Sequence, residues 1–131
     1  ADAASAIVLT SLLQNGVLRE RPSLPVLELA EYRIGSVQTG IVWVTQQLQA
    51  LGQAGDAAVI FAANLSQSEV QRIQVAIEQR QVNAVWLGHN GPGLSLHSEE
   101  ASVECRLTLN HAIAICLARL IETNTFGPVE D

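Results

Sequence analysis

Lysine is absent from this 131-residue sequence, and all seven of its basic residues are arginines. The absence excludes Schiff-base chemistry, attachment of pyridoxal phosphate and the lysine of a phosphate-binding loop. Charged residues of either sign make up only 15% of the chain, and the formal net charge is −6. Because phosphate contacts supply most of the affinity for nucleic acids, scattered arginines in an acidic chain argue against nucleic-acid binding. They argue equally against an anionic membrane surface.

Long apolar runs are also missing, and the longest, such as 112–118, are too short to cross a bilayer. No N-terminal segment has the basic start and apolar middle of a signal peptide. Methionine is absent, which leaves open an exported or proteolytically processed form, and the cytoplasm is the default expectation. The two cysteines, Cys105 and Cys116, fit no metal-binding spacing. We therefore expect two buried thiols, no bound metal and no cofactor.

Hydrophobic residues make up 48% of the chain, which is enough to fill a core at this length. The sequence predicts a single α/β domain over residues 1–131, with residues 123–131 as a flexible tail. Its strongest local pattern covers residues 57–88. Two short runs that are apolar on both faces enclose a segment whose apolar residues recur at helical spacing, namely Val70, Ile73, Ala76 and Ile77. Such a pattern predicts two parallel strands joined by a helical crossover.

The segments before this unit give mixed signals. Residues 3–15 predict a helix that ends at Asn15-Gly16, with a strand over the apolar run from Ile7 to Leu9 as the alternative. Residues 25–32 alternate as a strand does. Residues 37–53 place apolar side chains at spacings of three and four, which predicts a helix. Gly40 and the β-branched cluster after it weaken the start of that helix, so a short strand that becomes a helix is the alternative.

The C-terminal part predicts a hairpin followed by a helix. Leu94–His97 is expected to be extended, and residues 102–109 alternate cleanly between apolar and polar side chains, which is typical of a half-buried antiparallel strand. Asn110 is then the expected cap of a final helix that ends near Glu122. Its predicted inward residues are Leu109, Ile113, Cys116, Leu117, Leu120 and Ile121. The fold prediction is thus a layered α/β domain with a mixed sheet of four to five strands, an antiparallel C-terminal hairpin and helices packed on the sheet.

The loop Gly88–Gly93 is the candidate functional site. It follows a predicted parallel strand, and ligands of open α/β sheets bind beyond the carboxyl ends of strands. His89 is the candidate catalytic acid or base. Asn64, at the end of the neighbouring strand, and Asn90 and Gly91 are the candidate ligand-binding residues. The competing interpretation is a tight turn, because Asn-Gly and Pro-Gly pairs favour turn geometry by themselves.

Other polar residues have structural interpretations. Ser66 and Glu69 have the spacing of a capping box, which predicts the start of a helix. The less favoured alternative for residues 66–69, which follow the first strand of the unit, is contact with a ligand at the same sheet edge. His97 and His111 are isolated from each other and from His89, so the three histidines have no ligand spacing of a metal site.

Two functions of different classes follow from these patterns. The first is a non-enzymatic protein-interaction or accessory domain that self-associates, because no nucleophile–base or metal spacing is present and the apolar content is high. Its expected partners are further copies of this chain, with another protein as a second candidate. The alternative is a small-molecule enzyme or binding protein whose site is the strand-end loop around His89.

Overall fold

The computed structural model describes residues 3–29, 33–34, 37–38, 40–62, 65–88, 93–96 and 102–129, and two compact units divide the chain. The first unit holds Leu29–Glu99, and the second combines Asp2–Glu28 with Glu100–Asp131. That they form a single domain stays a prediction. The elements in chain order are α1 (Ala3–Asn15), β1 (Arg33–Ile34), β2 (Val37–Gln38), α2 (Gly40–Leu51), β3 (Ala57–Phe61), α3 (Gln67–Arg80), β4 (Asn83–Leu87), β5 (Leu94–Leu96) and α4 (Val103–Phe126).

The predicted strand–helix–strand unit is confirmed. β3 and β4 pair in parallel from Ala57 opposite Asn83 to Phe61 opposite Leu87, with α3 as the crossover between them. Trp86 is fully buried on β4, in one cluster with the apolar face of α3 that the sequence predicts. Leu48 of α2 joins the same cluster. Burial of one full apolar face of α3 is worth roughly 1.5–3 kcal/mol for each large side chain, which holds the crossover on the sheet.

The prediction of a mixed sheet of four to five strands with an antiparallel C-terminal hairpin is wrong. In the described residues the sheet has three strands in the order β3-β4-β5, and β5 runs parallel to β4. A separate pair, β1 and β2, is antiparallel and only two residues long on each side. The connection from β4 to β5 is short for a parallel pair. Gly88 and Gly93, the described residues at the two ends of this connection, adopt φ of 84° and 89°, a left-handed backbone that glycine enters without steric cost.

The strand predicted over residues 102–109 is also wrong, because these residues begin the 24-residue helix α4. Ser102 is its N-cap and accepts a hydrogen bond from the N–H of Cys105 at 3.2 Å. Asn110, expected as the cap, lies inside the helix and is 3% exposed. The helix continues past Glu122 to Phe126. Four alternating apolar residues are a weak signal, and the cap overrides it.

Earlier segments match the sequence more closely. The helix over residues 3–15 is confirmed, and Gly16 ends it with φ of 90° and an N–H donated to Leu12 O at 2.9 Å. Residues 37–53 contain β2 followed by α2, as the alternative stated. The strand expected over residues 25–32 is not formed over 25–29, and residues 30–32 lie outside the described part. No described strand pairs with this segment, and a lone extended segment has no ladder to hold it.

In the second unit α1 and α4 lie side by side and run in the same direction. Ser5 near the start of α1 meets His111, while Val17 just after α1 meets Glu122. The buried residues on α1 are Ser5, Leu9 and Leu13, and those on α4 are Asn110, Ala114, Ala118 and Glu122. Both sets have a spacing of four, so each is one stripe of a helix. Small side chains on these stripes let the two helix backbones approach closely.

A buried ion pair closes this unit. The carboxylate of Glu122, 0% exposed, accepts hydrogen bonds from Nε of Arg21 at 3.0 Å and from the N–H groups of Val17 and Leu18 at 3.1 and 2.9 Å. The Arg21 guanidinium also donates to Leu12 O at 3.1 Å. It lies over the ring of Phe126, with 5.2 Å to the ring centroid. Such a pair is stabilising only while both partners remain, since a lone buried charge is strongly unfavourable.

Gln81 supplies the first prediction. It ends α3 in the left-handed region with φ of 54°, the position at which glycine is usually found. Left-handed backbone costs a residue with a Cβ about 1–2 kcal/mol. Against that, glycine loses roughly 0.5–1 kcal/mol of chain entropy. We expect Gln81→Gly to stabilise the protein by about 0.5–1 kcal/mol in denaturant unfolding. The control is Gln71→Gly on the exposed part of the same helix, which should destabilise it by about 1 kcal/mol.

The second prediction concerns Glu122 and the dependence of stability on pH. Burial raises the pKa of this carboxyl, but hydrogen bonds from Leu18, Val17 and Arg21 outweigh burial and hold the pKa below its usual value of 4.5. The folded state therefore gains stability above pH 4.5 and loses it as the pH falls through the lowered pKa. We expect the hydrogen-exchange protection factors of the Val17 and Leu18 amides, which compare the observed rate with the intrinsic rate at each pH, to fall over that acidic range.

The matched variants for this measurement are Glu122→Gln and Glu20→Gln, the latter at an exposed position of the adjoining segment. Glu122→Gln should lower the melting temperature at pH 7 and flatten its decline in acid. Glu20→Gln should leave the acid profile unchanged. An acid profile that Glu122→Gln does not alter would contradict this account.

Candidate functional site

The carboxyl ends of the three parallel strands form the candidate site. Phe61 pairs with Leu87, and Leu87 pairs with Leu96, so the three strands end at the same level. Hydrogen bonds continue across the ends, from Ala62 N–H to Leu87 O at 2.8 Å and from Gly88 N–H to Leu96 O at 2.9 Å. This alignment brings the chain segments that leave β3 and β4 to one edge of the sheet, which is where ligands bind in open α/β folds.

Two hydroxyl groups lie where α3 begins, five residues after the end of β3. Ser66 is the N-cap, and its Oγ accepts from the N–H of Glu69 at 3.3 Å. The Oγ atoms of Ser66 and Ser68 are 3.1 Å apart and within hydrogen-bonding distance. Both serines are exposed. The sequence assigned Ser66 to helix initiation, and this cap is confirmed, but its pairing with Ser68 was not anticipated. A serine two residues after an N-cap serine, beyond a parallel strand, was the available signal.

The start of α3 favours a negatively charged or oxygen-rich ligand. Its first intrahelical hydrogen bond runs from Val70 N–H to Ser66 O at 3.0 Å. The N–H groups of Gln67 and Ser68 precede that bond, so they have no acceptor within the helix. They add to the partial positive charge of the helix N-terminus. Glu69 carries a negative charge in the same turn and opposes an anion on its own side.

A polar groove of about 580 Å³ extends from Ser68 between α2 and α3. Its other lining residues are Thr45, Gln49, Gln71, Arg72, Gln74, Val75 and Glu78. Ser68 and Arg72 are four residues apart on α3 and therefore lie on one face. Most of these side chains offer both donors and acceptors, as a ligand rich in hydroxyl groups requires.

The four site residues predicted from the sequence, Asn64, His89, Asn90 and Gly91, lie outside the described residues. Their described neighbours show how the flanking chain runs, because Ala62 and Gly88 follow adjacent, hydrogen-bonded strand ends. The described strand ends, Phe61 and Leu87, lie level at one sheet edge. The roles of the four residues themselves stay predictions.

His111 belongs to the second unit and has a structural role. Its Nδ1 lies 2.9 Å from Leu107 O and 3.1 Å from Ser5 Oγ. The Leu107 carbonyl oxygen can only accept, so this contact is a hydrogen bond in the tautomer that carries its proton on Nδ1. Nδ1 is then unable to take a proton from the Ser5 hydroxyl, and this pair is not a nucleophile with its base.

The cysteine prediction needs a correction. Cys105 and Cys116 are both exposed free thiols and not buried ones, because they lie on the face of α4 opposite its buried stripe. Within the described residues, His, Cys, Asp and Glu side chains nowhere gather in a group of three that could hold a metal ion. None of the described helices is both long and apolar enough to span a bilayer.

Comparison with known proteins finds a similarity to an enzyme. No protein-family model matches the sequence. The chain is similar to a phosphoheptose isomerase of Methylococcus capsulatus, with 28% identity over 146 aligned positions that cover 95% of this chain and 72% of the relative. That relative is named as an enzyme, so the similarity contradicts our prediction of a non-enzymatic interaction domain. The alternative, a small-molecule enzyme or binding protein, agrees better with it.

Proposed function

We propose that this chain is a small-molecule enzyme that binds a phosphorylated sugar at the strand-end edge of its sheet and isomerises it. The observation that carries the proposal is the similarity to a phosphoheptose isomerase along nearly the whole chain. The level strand ends and the polar start of α3 give a physical reason to locate the site there.

The phosphate group belongs at the N-terminus of α3. The hydroxyls of Ser66 and Ser68 and the N–H groups of the first turn are donors for phosphate oxygens, and the helix dipole favours their negative charge. Glu69 repels an anion, so we do not expect it to contact the phosphate. Its carboxylate can instead accept hydrogen bonds from the hydroxyl groups of the sugar. The glutamine-rich groove that begins at Ser68 offers further partners for such hydroxyls.

Isomerisation needs a group that accepts a proton from one carbon of the sugar and returns it to the neighbouring carbon. A histidine titrates near neutral pH and suits both steps. His89 follows β4 directly after Gly88 and is our proposed proton carrier. Asn64, Asn90 and Gly91 are proposed to bind the sugar beside it, since their segments leave the same sheet edge.

The remaining expectations concern partners and location. We propose a homo-oligomer, supported by a hydrophobic content of 48% in a chain of this length. Another protein remains a second candidate partner, and nucleic acid is not expected because the net charge is −6. The cytoplasm is the proposed location.

Phosphate binding is tested with two serines that share a structural role. Ser66 and Ser102 each cap a helix and accept one backbone N–H, at 3.3 and 3.2 Å, but only Ser66 belongs to the unit that contains β3 and β4. Replacing either by alanine should cost about 1 kcal/mol of stability. We expect Ser66→Ala to weaken binding of a sugar phosphate by about 10- to 100-fold in titration calorimetry, because a lost hydrogen bond to a charged group costs about 1.5–3 kcal/mol.

Ser68→Ala should weaken binding similarly, while Ser102→Ala should leave it unchanged. A panel of phosphorylated heptoses, hexoses and pentoses, with inorganic phosphate alongside, defines the ligand. Equal affinities for the Ser66 and Ser102 variants would place the phosphate elsewhere.

Turnover is tested by proton exchange. An isomerase incorporates solvent deuterium at the carbon next to the carbonyl group of its sugar substrate, which NMR detects in D2O. We expect His89→Ala to reduce this exchange by about 10²–10⁴-fold, the usual range for a general acid or base. Binding of the sugar phosphate should persist in the variant. Tight binding by the unmodified protein without any exchange, across the whole sugar panel, would show a binding protein and contradict the enzymatic proposal.

A further inference from the structure

The groove that begins at Ser68 has one positive charge among its described lining residues, the guanidinium of Arg72. The facing helix α2 adds no charge, because its sequence contains neither acidic nor basic residues. The groove also holds one described carboxylate, that of Glu78, which lies about 15 Å along the helix from Ser68. Salt screens exposed charges over a shorter distance than that. Within the groove, Arg72 is thus the charge nearest to Ser68.

Arg72 is also free to bind a ligand. Its side chain is exposed and, within the described part of the chain, makes no hydrogen bond and no ion pair. The two arginines of α4 belong to the second unit. Three further arginines donate to carbonyl or carboxylate oxygens of the protein itself, namely Arg19, Arg21 and Arg80. Among the described side chains of the first unit, Arg72 is therefore the one cation without a partner.

Helix geometry directs Arg72 towards Ser68. The two residues are four apart on α3, so their Cβ atoms lie about 5–6 Å from each other on one face. Side chains of a helix lean towards its N-terminus, so the side chain of Arg72 covers the turn that holds Ser68. The four bonds from Cβ to the centre of the guanidinium extend about 5 Å, which spans that turn. The guanidinium and the Ser68 hydroxyl can therefore donate to one bound group.

A phosphate at the start of α3 needs more positive charge than the helix provides. The N-terminus of a helix contributes about half an elementary charge, whereas a phosphomonoester carries about −1.5 to −2 at pH 7. Glu69 adds a further negative charge in the first turn of α3. Serine hydroxyls donate hydrogen bonds but bring no charge. Lysine, the other side chain that carries a permanent positive charge at neutral pH, is absent from the chain.

We infer that Arg72 is the counter-charge of the bound phosphate: its guanidinium shares the phosphate oxygens with the Ser68 hydroxyl and selects the dianion over the monoanion. Arginine suits this role because its planar fork presents two parallel N–H donors to two phosphate oxygens. The ligand class follows from this contact, since a phosphomonoester should bind in preference to an unphosphorylated sugar or a sugar carboxylate. The role of Arg72 rests on the proposed sugar-phosphate site.

Titration calorimetry with a sugar phosphate tests the contact. We expect Arg72→Gln to weaken binding by about tenfold at pH 7.5, the lower end of the range for a hydrogen bond to a charged group, because Arg72 is exposed. Arg72→Lys keeps the charge but loses the fork, so it should weaken binding by only about threefold. The affinity for the same sugar without its phosphate, measured by NMR titration, should not change in either variant.

The matched control is Arg119→Gln. It makes the same change in net charge at an exposed position of the second unit. It should leave the affinity for the sugar phosphate unchanged. Arg72→Gln should keep the melting temperature of the unmodified protein, because an exposed side chain without a partner contributes little to stability.

The pH dependence distinguishes charge pairing from a structural role. A phosphomonoester loses its second negative charge as the pH falls through about 6. The ratio of dissociation constants between Arg72→Gln and the unmodified protein should therefore shrink, from about tenfold at pH 7.5 to about threefold at pH 5.5. Glu69 and Glu78 are the charged neighbours of Arg72 on α3, and α2 contributes none, so their effects cancel in this ratio. A ratio that is equal at both pH values would overturn selection of the dianion.

Steady-state kinetics gives an independent readout. The phosphate takes no part in the proton transfer, so Arg72 stabilises the bound substrate and the transition state alike. We expect Arg72→Gln to raise KM by about tenfold and to change kcat by less than about threefold. His89→Ala should do the opposite and lower kcat. A fall in kcat with unchanged KM in Arg72→Gln would overturn its role as a binding residue.

The outcomes separate the role of Arg72 from the proposed site. Weaker binding in Ser68→Ala with full affinity in Arg72→Gln would overturn the role of Arg72 alone. Equal losses in Arg72→Gln and Arg119→Gln would show a general effect of net charge and overturn that role as well. An unmodified protein that binds no sugar phosphate would overturn both.

Discussion

In-register parallel hydrogen bonding between β3, β4 and β5 is the constraint on which the candidate site depends. Pairing of Phe61 with Leu87, and of Leu87 with Leu96, brings three strand ends to one level. A slip of one residue would turn the side chains of a strand to the opposite face and remove Trp86 from the core. The buried face of α3 supports the same register, and so the helix starts beside the strand ends. The hydroxyls of Ser66 and Ser68 are a local consequence of that packing.

The second unit depends on a different interaction, a carboxylate kept charged without water. Glu122 accepts three hydrogen bonds from Arg21 and the backbone of the segment after α1. These bonds outweigh the burial that raises its pKa, so the group remains ionised at neutral pH. Gly16 lies nearby with φ of 90°, and a Cβ there would come within 2.5 Å of Arg19 O. The turn after α1 is thus shaped for two backbone N–H groups to reach one carboxylate.

On α4 the buried face is small and polar, and the exposed face carries large apolar side chains, which is the reverse of the usual arrangement. Its buried stripe holds Asn110, Ala114, Ala118 and Glu122, whereas leucines, isoleucine and cysteines lie outside. Small side chains on this stripe suit packing against α1. The Glu122 carboxylate connects α4 to the segment after α1 by accepting hydrogen bonds from Val17 and Leu18. The leucines and the isoleucine of the other face are exposed.

The sequence by itself determined the local elements. Helical spacing in α3, the caps Ser66 and Gly16, and the doubly apolar runs of β3 and β4 act over a few residues, so α1, the crossover and the parallel pair could be predicted. It also located the strand-end edge by the general rule for such sheets. Tertiary structure decided the rest. The direction of β5 depends on its pairing with β4, which no local sequence pattern shows. Alternation over residues 102–109 likewise cannot show that Ser102 caps a helix there. The burial of Glu122 depends on an arginine 101 positions away in the chain. Hydrophobic periodicity predicted the wrong inner face of α4, because the approach of α1 selects for size and hydrogen bonding and not for hydrophobicity alone.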